Sequence, residues 1–138
     1  MKKFISLSLV LLAITFSSCH KTHGCTDMSA TNFDASADVN SGCTFSTVTF
    51  YGQYTSYNGI PISRVDVAVD GVSLGNLTSV YPSGPGNCSA PGTLPYTFTN
   101  NKSIDWNSTV TLASGQIIYG SGTIAPTTET CMKVNVTQ

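Results

Sequence analysis

Arg64-Val65-Asp66-Val67-Ala68-Val69-Asp70-Gly71-Val72-Ser73-Leu74 is the stretch from which the fold can be read. Val65, Val67 and Val69 alternate with Arg64, Asp66 and Ala68, the period-two pattern of a strand with one face buried. Asp70-Gly71 then interrupts the pattern. A two-residue type I′ turn needs positive φ at both central residues, and Asp-Gly tolerates that geometry. Such a turn sets Val69 opposite Val72 and Val67 opposite Leu74 on one face, so register and burial agree.

The same period recurs on both sides of this hairpin. Val48 and Phe50 alternate with Thr47, Thr49 and Tyr51. Leu94, Tyr96 and Phe98 share a parity, as do Ile104, Trp106, Val110 and Leu112, and then Met132, Val134 and Val136. Clusters of Gly, Pro, Asn and Ser separate these runs, and no stretch carries a capped 3.6-residue period, so the domain reads as antiparallel β-structure. Pro95 inside a strand pattern marks an edge strand, because proline cannot donate to a ladder on both sides. The Pro- and Gly-rich stretch from Tyr81 to Gly92 is the long loop, tied down if Cys88 is bridged. About seven strands in residues 46–138 predict an all-β fold, a small antiparallel Ig-like β-sandwich.

Composition narrows the classes further. Only 9% of the 138 residues are charged, against about 25% in an average soluble domain. That excludes a coiled coil, a charged disordered tail and a basic nucleic-acid binder. The 41% of hydrophobic residues still suffice for a core.

Residues 1–18 form a signal peptide. Lys2 and Lys3 precede an apolar run from Phe4 to Phe16, and small residues close it. The run is shorter than the roughly 20 apolar residues a spanning helix needs. Phe16-Ser17-Ser18-Cys19 resembles a bacterial lipobox, with Phe where Leu is commoner. That resemblance implies lipidation of Cys19, which becomes the first residue of the mature chain, and residues 19–24 then form a lipid-anchored tether. One acyl chain holds only marginally, whereas the three implied by the resemblance make a durable anchor. Without Lys2 and Lys3, four basic residues face seven acidic ones, a formal net charge of −3. Such a chain has no electrostatic footprint for nucleic acid.

The 5 cysteines are an odd number, and in an exported protein the odd one needs a role. Acylation gives Cys19 one. Cys25, Cys43, Cys88 and Cys131 allow three pairings. Cys25–Cys43 and Cys88–Cys131 are favoured, since the first brackets a compact polar segment and the second lies wholly within the later domain. Zinc is the competing reading, and no Cys-x-x-Cys pair supports it.

Residues 25–45 form the bracketed acidic module, without helical or strand periodicity. Asp27, Asn32 and Asp34, with Asp38 and Asn40, offer oxygen ligands of the kind calcium takes. The alternative is a disulfide-closed loop whose carboxylates cap turns. The segment resembles the short Cys-bounded repeats of secreted proteins from Gram-negative, Bacteroidetes-type bacteria. Cys25, Thr26, Asp27, Ala30, Asn32, Asp34, Ala37, Gly42 and Cys43 fit that pattern, with Phe33 and Phe45 in its aromatic places. Met28 and Ala35 replace the usual prolines, and Asn40-Ser41 replaces an Asp-Asp pair. The resemblance implies a small structural module and no chemistry. Residues 46–138 are similar to the domains of small lipoproteins of the same bacteria, through Val67-Ala68-Val69-Asp70-Gly71, Gly75-Asn76-Leu77-Thr78, the loop around Cys88, and Cys131. That likeness implies a fold and an envelope location, but no activity.

Catalytic groupings are scarce. His20 and His23 sit beside the anchor, a poor place to hold a geometry. Asp70 is explained by its turn, while Asp66 and Asp105 alternate with apolar neighbours and are expected to face solvent. Trp106 has the parity of Ile104 and is expected in the core. Tyr51, Tyr54 and Tyr57 lie close together in sequence. They either stack on a sugar ring or a protein partner, or shield a sandwich edge. The expected function is a lipid-anchored cell-envelope protein, at the outer membrane, with a non-catalytic structural or interaction role. A glycan-binding surface lipoprotein is the alternative. The membrane, reached through Cys19, and a protein or glycan are the expected partners. No cofactor other than calcium is considered.

Overall fold

In the computed structural model residues 20–137 are described, so the signal peptide and Cys19 lie outside the described residues. The chain there is all-β, in three sheets whose pairings are mostly antiparallel. The chain order is β1 (His23–Gly24), β2 (Val39–Asn40), β3 (Thr47–Tyr51), β4 (Ser56–Tyr57), β5 (Ile60–Val69), β6 (Val72–Asn76), β7 (Leu94–Thr97), β8 (Ile104–Leu112), β9 (Ile117–Ile124) and β10 (Cys131–Asn135).

The larger sheet runs β4-β5-β8-β9, with β6 on the far half of β5. Its hairpins have local causes. Asp70 and Gly71 have φ of 49° and 78°, as the type I′ turn requires. Asn58 and Gly59 repeat those values between β4 and β5. Asn-Gly is among the strongest short hairpin signals a sequence carries, and here it directly follows Tyr57. The Asp70 carboxylate also accepts the Asp105 amide at 2.9 Å, tying the turn to the start of β8.

The β5–β6 register departs from expectation. Val69 does face Val72, but Val67 faces Gly75 rather than Leu74, because the ladder slips by one residue between Val67 and Ala68. Gly75, at φ 128°, takes the backbone conformation this irregularity needs. Val72, 69% exposed, is not in the core with Val69, its partner across the ladder.

The smaller sheet, β10-β3-β7, places β3 in the centre, antiparallel to β7 and parallel to β10. Pro95 lies on β7, an edge strand, as expected. The two sheets bury a common core: Val48 and Phe50 from β3, Val65, Val67 and Val69 from β5, Val110 and Leu112 from β8, with Phe98, Ile104 and Val136. Trp106 is partly buried against this core, its ring 5.8 Å from Phe50. Its indole lies across Gly120 and Gly122 of the neighbouring strand. A Cβ on Gly122 would come within 2.8 Å of Trp106 Nε1, so the glycines make room for the ring.

The outer face of the smaller sheet is covered by the loop between Tyr81 and Gly92. Thr49, on the outward parity of β3, is fully buried, as is Pro85 in the loop. The Cys88 sulfur lies 3.3 Å from the Thr47 carbonyl and 3.4 Å from that of Met132. The Tyr51 hydroxyl stands beside Gly84. Cys88–Cys131 fastens this cover to β10, and Cys25–Cys43 closes the N-terminal module. Both pairings are the expected ones.

Bridging Cys88 to Cys131 across a sequence separation of 43 restricts the unfolded chain by about 4 kcal/mol on the chain-entropy model. Replacing both by Ser should lower unfolding stability by that order in urea titrations and open residues 81–92 to protease. A cost below about 1 kcal/mol, with the loop uncut, would show that packing alone retains the cover.

Candidate functional site

The acidic module is held by its own side chains. Two Asp-x-Ser-Ala turns, at Asp27–Ala30 and Asp34–Ala37, repeat one geometry. Asp27 Oδ1 accepts the Ser29 amide at 3.0 Å and the Ser29 hydroxyl at 2.7 Å. Asp34 Oδ1 accepts the Ser36 amide at 2.9 Å and its hydroxyl at 2.6 Å. Ala30 and Ala37 donate back to the Asp27 and Asp34 carbonyls. The spacing of seven residues between the two Asp-x-Ser-Ala runs is visible in the sequence and could have revealed the repeat.

Asn32 staples the ends of the loop: its amide nitrogen donates to the Gly42 carbonyl at 2.7 Å and its oxygen accepts the Thr44 amide at 2.8 Å. Asn40 accepts the Thr26 amide at 3.0 Å. Against the reading of the segment as irregular, β1 and β2 pair in parallel there, His23 with Val39 and Gly24 with Asn40. Asp27, Asn32 and Asp34 are thus each engaged with neighbouring backbone or hydroxyl groups. Among the described residues no group of three or more His, Cys, Asp or Glu side chains converges as a metal site would require.

Hydrogen bonds from Ser36 hold the Asp34 carboxyl below its ordinary range. The lowered value means that its contribution to stability is present above the ordinary carboxylate range and is lost as pH falls through the value in the folded chain.

The three tyrosines differ in burial and surroundings. Tyr51 is half-buried under the loop cover. Tyr57 is exposed on β4, beside the Asn58-Gly59 turn. Tyr54, 50% exposed, stands over a cleft of about 170 Å³ at one end of the two sheets. Thr137 fixes the corner that carries Tyr54, its hydroxyl accepting the Gln53 amide at 2.9 Å and the Tyr54 amide at 3.2 Å. Asn135 locks the arrangement from β10, its Nδ2 donating to Gln53 Oε1 at 2.9 Å.

The wall opposite Tyr54 is the irregular part of β5 from Ile62 to Val65, where the register with β8 shifts between Ile62 and Arg64. Arg64 sits at this rim and grips Asp66 through Nε and Nη2 at 2.6 to 2.9 Å. That pairing lowers the Asp66 carboxyl and raises the Arg64 guanidinium. Because the Arg64 guanidinium lies in solvent, which screens the attraction, the pair adds little to stability. Asp66 and Asp105 lie off the core, as their parity implied.

The cleft offers an aromatic ring, a guanidinium, several hydroxyls and the apolar side chains of Leu77 and Val80. Its lining includes no His, Cys, Asp or Glu, so the chemistry it supports is stacking and hydrogen bonding. Its volume is below the roughly 300–1,000 Å³ of sites that enclose a drug-sized ligand, so it has room for no more than one end of a molecule of that size.

No protein family, curated protein or solved structure matches the chain.

With the carboxylates already engaged in turns, calcium up to the millimolar range should leave the melting temperature unchanged relative to chelator. Calorimetric binding at micromolar calcium would show that the turns rearrange into a metal loop.

Proposed function

We propose that this chain is a lipid-anchored protein of the cell envelope, held at the outer membrane through acylated Cys19, with a non-catalytic structural or interaction role. Cysteine pairing is the observation that carries the reading. Cys25, Cys43, Cys88 and Cys131 satisfy one another, so Cys19, directly after Phe16-Ser17-Ser18, is the one left for other chemistry. Two disulfides suit an exported, oxidising location. In this reading residues 19–24 are a lipid-anchored tether, residues 25–45 a disulfide-closed module, and the later sheets form an immunoglobulin-like sandwich that presents a surface to a partner. The shared two-sheet core supports the sandwich, although the parallel β3–β10 pairing at its centre is a variation on that plan.

Cys19→Ala should abolish lipid labelling and, where mass confirms signal cleavage, move the protein from the membrane pellet to the soluble fraction. Retention of the cleaved variant in the pellet would overturn lipid anchoring.

A second reading rests on Tyr54, half-exposed over the cleft beside Arg64. An aromatic face next to hydrogen-bond donors suits a sugar ring, and in this reading glycan recognition would rest on one tyrosine instead of three. On a glycan array Tyr54→Ala should lose bound signal at least tenfold, while Tyr57→Ala keeps it. Equal binding by the chain and its Tyr54→Ala variant would remove the cleft from the glycan reading.

A further inference from the structure

Strand β9 closes the larger sheet on one side, and its outer edge pairs with no other strand among the described residues. Exposed edges of this kind are ordinarily blunted by charge, proline, brevity or a bulge. The other edges of this protein follow the rule. β7 carries Pro95, β10 carries Lys133, β4 has two residues, and β6 is irregular at Gly75. Ile117-Ile118-Tyr119-Gly120-Ser121-Gly122-Thr123-Ile124 has eight residues, no charge and no proline, and its pairing with β8 is unbroken. Tyr119 is 75% exposed and Ile117 is exposed as well.

We propose that β9 is the docking edge for a second copy of this chain, joined antiparallel about a two-fold axis at Ser121, so that the two larger sheets run on as one. Three observations select this occupant and register. The first is the backbone phase. Leu112 donates to the Gln116 carbonyl at 2.9 Å at the hairpin end. Bonded pairs alternate along an antiparallel ladder. Ile118, Gly120, Gly122 and Ile124 therefore face β8, and Ile117, Tyr119, Ser121 and Thr123 turn their N–H and C=O groups outward. An axis at Ser121 makes every hydrogen-bonded pair one of outward-facing residues, Ser121 with itself and Tyr119 with Thr123, for about six new hydrogen bonds.

The second observation is side-chain complementarity. The same register sets Ile118 opposite Ile124 on the inner face and an aromatic opposite a β-branched residue on the outer face, both favourable cross-strand pairs. Gly120 opposes Gly122, so nothing crowds the Trp106 rings beneath. The third is charge. The strand has none, and the nearest acidic group on its outer face, Asp105, is occupied by the Thr123 hydroxyl at 2.6 Å. A self-pair therefore sets no charged residue of β9 opposite another, and the nearest cation, Lys133 of β10, borders Gly120 and Ser121 without belonging to the paired strand. The contact is isologous, as a two-fold dimer requires. Residues 118–124 bury less than the roughly 1,000 Å² of a stable interface, so the dimer is of the reversible kind.

The test uses the full-length protein, in membranes and after detergent extraction, with both native disulfides confirmed by mass mapping. Ser121→Cys places two thiols on the axis with Cα atoms about 5.5 Å apart, within the span a disulfide bridges. Tyr119→Cys leaves its two thiols about 14 Å apart along the strands. Mild oxidation should crosslink Ser121→Cys into a dimer at least tenfold more than Tyr119→Cys. Ser121→Lys, which sets two ammonium groups face to face on an exposed position, should shift the unmodified chain's sedimentation from a concentration-dependent dimer to monomer. Equal crosslinking at both positions would overturn the proposal, as would a monomer at every concentration or a crosslink from Ser121→Cys to a different protein.

Discussion

Strand β3 is buried on both faces, and the rest of the structure is arranged around that constraint. On its inner face Val48 and Phe50 meet the valines of β5 and the ring of Trp106. On its outer face Thr49 lies fully buried with a hydroxyl that has no hydrogen-bond partner. A three-stranded sheet has no second sheet to cover that side. The Tyr81–Gly92 loop does so instead, with Pro85 buried in it and Cys88 tied to β10. An unpartnered buried hydroxyl costs about 1–3 kcal/mol, which the cover must outweigh. A loop rich in Pro and Gly gains little from a regular ladder of its own, so the disulfide and a few directed bonds hold it, among them Tyr81 Oη to the Pro91 carbonyl at 2.6 Å.

Placing β3 at the centre also sets what lies at the two flanks of the fold. The corner after β3 is clamped by Asn135 and Thr137 at the end of the chain's last segment, and this carries Tyr54 to the mouth of the cleft. First and last segments of the domain therefore position one side chain, through residues that are more than 80 apart in sequence. The opposite flank has a different character. There β9 closes the larger sheet without a charge, and its middle is small because Trp106 needs Gly120 and Gly122 beside it. The requirement that opens space for the indole also leaves that edge narrow and unguarded.

The acidic module solves the same problem on a smaller scale. Twenty-odd polar residues cannot bury enough apolar surface to fold alone. Cys25 and Ala30 are its only fully enclosed apolar side chains among the described residues. The disulfide and the two Asp-x-Ser-Ala turns supply what a core does not, which is why its carboxylates point at their own loop.

Much of this was legible in the sequence, for physical reasons. Period-two alternation is a local property, so β3, β5, β8 and β10 could be read directly, as could the Asp70-Gly71 turn, the Pro95 edge and the two disulfide pairings. The Asn58-Gly59 turn and the repeated Asp-x-Ser-Ala turns were equally local, and the written residues were sufficient to find them. What only the tertiary structure decided depends on contacts between distant segments. Alternation says which residues share a face, but not which strand lies beside which. It therefore could not place β3 between β7 and a parallel β10, nor lay a loop over Thr49. One added residue in a ladder reverses every facing beyond it, so the slip at Gly75 moved Leu74 out of its expected pair. Nearness in sequence suggested one tyrosine cluster. Tyr51 stands beside Gly84 of the loop, Tyr54 lines the cleft and Tyr57 is exposed on β4, because the chain passes from the smaller sheet to the larger between them.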